Sequence, residues 1–68
     1  MAFEDLCQWL RHLGFDERTR GSHHLFRKSG ITELINLQRE GSKAIVYQVR
    51  QVRAVLLTYR LAGEGGED

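Results

Sequence analysis

One cysteine, Cys7, is the only thiol in this chain, so no internal disulfide can staple it. Long apolar runs are missing as well. The longest, Ala44-Ile45-Val46-Tyr47 and Ala54-Val55-Leu56-Leu57, fall far short of the roughly 20 residues a membrane-spanning helix needs. The N-terminus has neither the basic start nor the apolar block of a secretory signal, and the expectation is a cytoplasmic protein without membrane contact. No repeated Cys/His spacing, paired-carboxylate arrangement or Ser/His/Asp set is visible, and neither G-x-x-x-x-G-K-[ST] nor G-x-G-x-x-G occurs. Cys7 and His12, five residues apart, miss the shared helix face that metal ligands need. No metal and no cofactor are expected, and nucleotide binding has no motif behind it.

What is present suits one small domain. A chain of 68 residues, 41% hydrophobic and 28% charged, with a formal charge of +1, has the composition of an ordinary globular protein. At this length folding buries only about 60% of the surface that the unfolded chain exposes. An unstapled packed core must suffice. Residues 1–61 are expected to form the domain, and 62–68, Gly-rich and closed by Glu64, Glu67 and Asp68, a disordered acidic tail.

The charge is unevenly spread. From Arg18 to Arg60 there are nine basic residues against two acids, Glu33 and Glu40, whereas Glu4, Asp5, Asp16 and Glu17 lie earlier in the chain. Eight of the ten basic residues are arginine, the side chain that grips phosphate with two parallel hydrogen bonds and stacks on bases. This balance fits a polyanionic partner as well as it fits a solvated charged surface.

Phe3, Leu6, Cys7, Leu10 and Leu13 recur at helical spacing, with Glu4 and Asp5 at the end where the helix dipole favours acids. Gly14 supplies the stop and Phe15 the apolar contact beyond it. Trp9, off the main stripe, is read as widening the buried face. From Asp16 to Gln38, Gly21-Ser22 and Ser29-Gly30 punctuate three candidate strands, near Phe15–Arg20, His23–Lys28 and Glu33–Gln38. Ile35 and Leu37 mark the buried face of the third strand. On the second, taking Phe26 as core sends His24 inward with it and turns His23 to solvent. Arg39 to Val46 reads as a connector carrying Gly41. Helical periodicity then returns over Tyr47–Leu61, with Val49, Val52, Leu56 and Tyr59 as the apolar stripe and Arg50, Arg53 and Arg60 on an adjoining strip. Nothing before Tyr47 caps this helix well. The expected fold class is α+β, in the order helix, three-stranded antiparallel sheet, helix, with both helices on one sheet face and the other face open.

The chemical signal is the pair His23 and His24 after a turn glycine. Imidazole, with an unperturbed pKa of about 6.5, suits proton transfer at neutral pH. Ser22, Arg18, Arg20 and Arg27 are near in sequence and able to surround a phosphate. A strand histidine in a purely structural role fits the same pattern.

Together, helix one ending in Leu13-Gly14-Phe15, the run Arg20-Gly21-Ser22-His23-His24-Leu25-Phe26, the strand Ile35–Gln38 and Tyr47-Gln48-Val49-Arg50-Gln51-Val52-Arg53 resemble a HicA-type toxin. The resemblance runs from residue 3 to about 61, and the Gly-Ser-His step is its most specific part. It implies a fold like a double-stranded-RNA-binding domain, and a bacterial toxin–antitoxin pair whose toxin, an mRNA interferase, cleaves messenger RNA. The implied catalytic residue is His23, which directly follows Gly-Ser. On the third strand the family often has a proline and a second histidine, where this chain has Asn36 and Gln38. The resemblance also implies a HicB-type antitoxin, whose acidic residues would meet Arg20, Arg27 or Arg50. The expected mechanism is metal-independent, with His23 taking the 2′-hydroxyl proton that only RNA offers. Ser22, His24, Arg18, Arg20, Arg27, Lys43, Arg50 and Arg53 are the expected RNA contacts. Two other readings stand beside this one: a non-catalytic RNA-binding module of the same fold, and a protein-interaction domain using Leu25, Leu34 and the acidic tail.

Overall fold

In the computed structural model, which describes residues 1–61, the first helix, α1, spans Phe3–His12 and buries Phe3, Leu6, Cys7 and Leu10. Its end is a Schellman motif. Gly14 takes φ 96°, its N–H bonds the Arg11 carbonyl, and the Phe15 N–H bonds the Leu10 carbonyl at 3.1 Å. The stop foreseen at Gly14-Phe15 therefore forms, because glycine tolerates the left-handed backbone and Phe15 is buried beside Leu10 in the core.

Three strands follow, β1 (Asp16–Arg20), β2 (His23–Arg27) and β3 (Ile35–Leu37), paired antiparallel in that order. The register sets Phe26 opposite Glu17 on one side and Ile35 on the other, with His24 opposite Thr19 and Leu37. Strand alternation puts Phe26, Ile35 and Leu37 on one face. These residues join Leu6, Leu10, Val52 and Leu56 in one core, so both helices cover the same side of the sheet. The opposite face is open, as the periodicity foresaw. The observed strands are shorter than expected, the third most of all, since Glu33 and Leu34 fall outside the ladder.

The segment read as a connector holds a small hairpin, β4 (Arg39–Glu40) and β5 (Lys43–Ala44), turning through Gly41-Ser42. The N-terminus completes it: the Ala44 N–H donates to the Met1 carbonyl at 2.9 Å, and the Phe3 N–H donates to the Ser42 carbonyl at 3.0 Å. No side chain caps α1; the hairpin satisfies its first amide instead.

The last helix, α2, spans Val46–Thr58, with Val52 and Leu56 buried. No side chain caps its start, as expected. It ends earlier than the sequence suggested, because Arg60 takes φ 58°, and the Arg60 and Leu61 amides bond the Leu57 and Leu56 carbonyls. This is a second Schellman turn, with arginine where glycine is preferred. Arg60→Gly is accordingly expected to raise stability by about 0.5–1 kcal/mol, measured as a higher urea midpoint. A lower midpoint would show that Arg60 makes a contact worth more than its strain. Residues 62–68, expected as a disordered tail, lie outside the described residues.

Candidate nucleic-acid interface

Alternation sorts the side chains of β1 and β2 to two environments. His23, Leu25 and Arg27 share the open face with Asp16, Arg18 and Arg20, and Arg20 pairs across the strands with His23. Asp16, Glu17, Arg18, Arg20, Leu25, Arg27 and Leu34 line an open depression of about 760 Å³. None of Arg18, Arg20 and Arg27 is within ion-pair distance of a carboxylate among the described residues. Three guanidinium groups against Asp16 and a Glu17 already engaged by Arg11 leave a net positive surface around Leu25 and Leu34 that attracts anions.

His23 stands at the end of this face nearest the β1–β2 turn, exposed, with its Nδ1 3.0 Å from Oδ1 of Asn36. Beside it, Gln38 donates from Nε2 to Oγ of Ser22 at 3.0 Å, and its backbone N–H donates to Oε1 of Gln48 on α2. The two third-strand residues that depart from the HicA-type pattern, Asn36 and Gln38, are thus the ones that touch His23 and the serine before it. Sequence reading did not foresee these contacts. Opposite-face alternation along β3 was the available signal for Asn36, but nothing local said which β2 residue it would meet.

His24 points the other way. Its Nδ1 lies 3.2 Å from Oε2 of Glu17, and its ring meets the Phe3 ring edge-on at 4.9 Å. The inward turn follows from Phe26 taking the core, and it separates His24 from His23 by the thickness of the sheet. The expectation of His24 as an RNA contact beside His23 finds no support in this placement. Lys43 lies in the β4–β5 hairpin next to the N-terminus. Arg50 and Arg53 are exposed on α2, Arg50 roughly opposite the buried Val52 and Leu56 and Arg53 on the flank of that stripe, and Val46 and Leu57 are exposed as well. The eight expected contacts therefore do not form one surface: Arg18, Arg20, Arg27 and the neighbouring Ser22 gather around the open face, while Lys43, Arg50 and Arg53 lie on the helix side.

On the covered face, Arg11 donates from Nε and Nη2 to the two Glu17 carboxylate oxygens, at 2.6 and 3.2 Å. The Arg11 guanidinium, and next the His24 hydrogen bond, hold the Glu17 carboxyl below its ordinary value. Because the folded pKa is depressed, the stabilisation is present above the unfolded value and is lost as pH falls through the folded one. Between about pH 6 and about pH 3, Glu17→Gln should lose less of its urea midpoint than the parent chain. Equal losses would show that the pair contributes nothing to acid stability.

Cys7 Sγ, a Glu17 oxygen and a His24 nitrogen all lie within 4.8 Å of one another, a donor set of the sort zinc accepts. Both Glu17 oxygens already accept from Arg11, however, and burial pushes the Cys7 thiol up to about 11. An ion here would have to displace the guanidinium and take the thiol proton. The trio reads as the polar seam between α1 and the sheet.

No helix among the described residues is long and apolar enough to cross a membrane. Comparison of the chain with protein-family models, curated proteins and solved structures finds no match.

Proposed function

We propose that this chain is a metal-independent ribonuclease acting on messenger RNA, as the HicA-like sequence pattern implies, with His23 as the proton acceptor. One observation carries the reading: an exposed histidine held on the same open sheet face as three arginines, none of which is within ion-pair distance of a carboxylate among the described residues. His23 takes the proton of the 2′-hydroxyl as O2′ bonds to the adjacent phosphorus. The P–O5′ bond breaks, and the departing oxygen takes a proton from solvent. The products are a 2′,3′-cyclic phosphate and a 5′-hydroxyl end. Arg20, across the strand pair from His23, carries the charge that develops on the phosphate oxygens. Arg18 and Arg27 hold the flanking backbone. The Ser22 oxygen accepts from Gln38, which leaves its hydroxyl proton to donate to a phosphate.

The test offers the purified chain an RNA oligonucleotide and the same oligonucleotide with 2′-deoxyribose throughout. Cleavage of the ribose strand alone, in the presence of a chelator and with cyclic-phosphate ends, supports the reading. Cleavage of both strands, or of neither, overturns it.

The second reading is a non-catalytic RNA-binding module. It is favoured by Asn36 on β3 and Gln38 just after it, which stand beside His23 and Ser22 and neither of which can supply a proton to a leaving group. Salt-sensitive RNA binding without cleavage would select it. In the toxin reading a HicB-type antitoxin would cover the open face, with acidic residues against Arg20 and Arg27. Arg50, on the other side of the molecule, would meet a separate part of that partner.

A further inference from the structure

We infer that Asn36 is a positioning residue, which fixes His23 in the tautomer that carries its proton on Nδ1 and so makes Nε2 the atom that accepts the 2′-hydroxyl proton. The consequence for catalysis rests on the ribonuclease reading; the tautomer itself does not. An amide oxygen only accepts hydrogen bonds, so with the Asn36 amide placed with Oδ1 towards the ring, 3.0 Å from Nδ1, the proton belongs on Nδ1. A neutral imidazole has one N–H, and its lone pair is then on Nε2, the nitrogen farther from the backbone. The same bond persists when Nε2 takes a proton, because Nδ1 still carries its own. Asn36 thus holds one ring orientation through the proton transfer, the role an orienting third group has in other histidine-based sites. It does so without a charge, so it does not favour the imidazolium as strongly as a carboxylate would.

The fold supports this arrangement from two sides. Asn36 lies between Ile35 and Leu37, both buried in the core, which fixes the backbone from which its side chain projects. Leu25, paired with Asn36 in the ladder, is two residues from His23, so the ring and the amide meet on the diagonal across β2 and β3. Gln38 ties the turn before His23 to β3 and to α2 through Ser22 and Gln48.

Nitrogen-15 NMR of the histidine rings, above the pH at which His23 is neutral, tests the inference on the parent chain and on Asn36→Ala and Asn36→Asp. Position 36 is exposed, and retained circular dichroism establishes that each variant folds. The parent should show His23 with its proton on Nδ1. Asn36→Ala should release it to a mixture of tautomers, and Asn36→Asp should restore the Nδ1 proton. In cleavage assays Asn36→Ala should lower the rate roughly 3- to 10-fold, the worth of one net hydrogen bond. Asn36→Asp should recover much of the rate while moving the acidic limb of the kcat/KM profile to higher pH, since the carboxylate stabilises the imidazolium. A proton on Nε2 in the parent, or a tautomer unchanged in Asn36→Ala, overturns the inference even if RNA is cleaved. Failure of the folded parent to cleave overturns the ribonuclease reading, while the ring spectra still decide whether Asn36 holds His23.

Discussion

Alanine at position 23 is expected to slow RNA cleavage by about 10² to 10⁴, the usual worth of one well-placed acid or base, with little change in stability. His23 is exposed and bonds one exposed side chain, Asn36, so its truncation opens no core cavity and should move stability by less than about 0.5 kcal/mol. The loss is therefore chemical. Single-turnover rates at saturating RNA, compared at equal circular dichroism, would show it. A His23→Ala chain that cleaves within twofold of the parent removes His23 from the mechanism. Arg20→Ala makes a contrast, because it should weaken binding as well and lower the salt slope of RNA affinity by about 0.7, one phosphate contact on a single strand. In cells the same pair of chains, expressed from a tightly controlled promoter at equal level, should differ in growth and in the integrity of a reporter message.

Phe26→Ala should have the largest structural effect, a loss of about 3–5 kcal/mol. Phe26 is fully buried at the centre of β2, flanked across the ladder by Glu17 and Ile35 and packed among residues of both helices. At roughly 0.05–0.15 kcal/mol per residue, a chain of this size has only about 3–10 kcal/mol to lose, so the variant should be largely unfolded or nearly so. Urea denaturation followed by circular dichroism measures the change. Phe26→Leu, which keeps most of the apolar volume, should retain the fold. A loss under about 1 kcal/mol for the alanine variant would mean that Phe26 is not the centre of the core.

The consequences of these two substitutions differ because adjacent residues of β2 face opposite ways, and that much was legible in the chain. Once Phe26 is assigned to the core, a period of two places His24 inside and His23 outside, and the structure agrees. The stripe Phe3, Leu6, Cys7 and Leu10 and the pair Val52 and Leu56 were readable for the same reason, since burial on a helix follows its 3.6-residue period. The Gly14-Phe15 stop was readable from backbone sterics alone. The β4–β5 hairpin was not. Its strands, Arg39–Glu40 and Lys43–Ala44, are too short and too polar to show alternation, and Gly41-Ser42 was the only local sign of a turn. Pairing with Met1 and Ala2, some forty residues earlier, completes it.

The site divides along the same line. The order of elements and the two faces of β2, with Arg27 on the side of His23, are properties of local periodicity, so the amino-acid sequence alone determined them; Arg18 and Arg20 join that face through the β1–β2 register. Which basic residues share that face depends on how the second helix docks, and only the tertiary structure moved Lys43, Arg50 and Arg53 to the other side. The neighbours of the two histidines, Asn36 for His23 and Glu17 with Arg11 for His24, were decided the same way. Such contacts join residues separated along the chain, and their pairing depends on strand register and helix placement, which the whole core settles together.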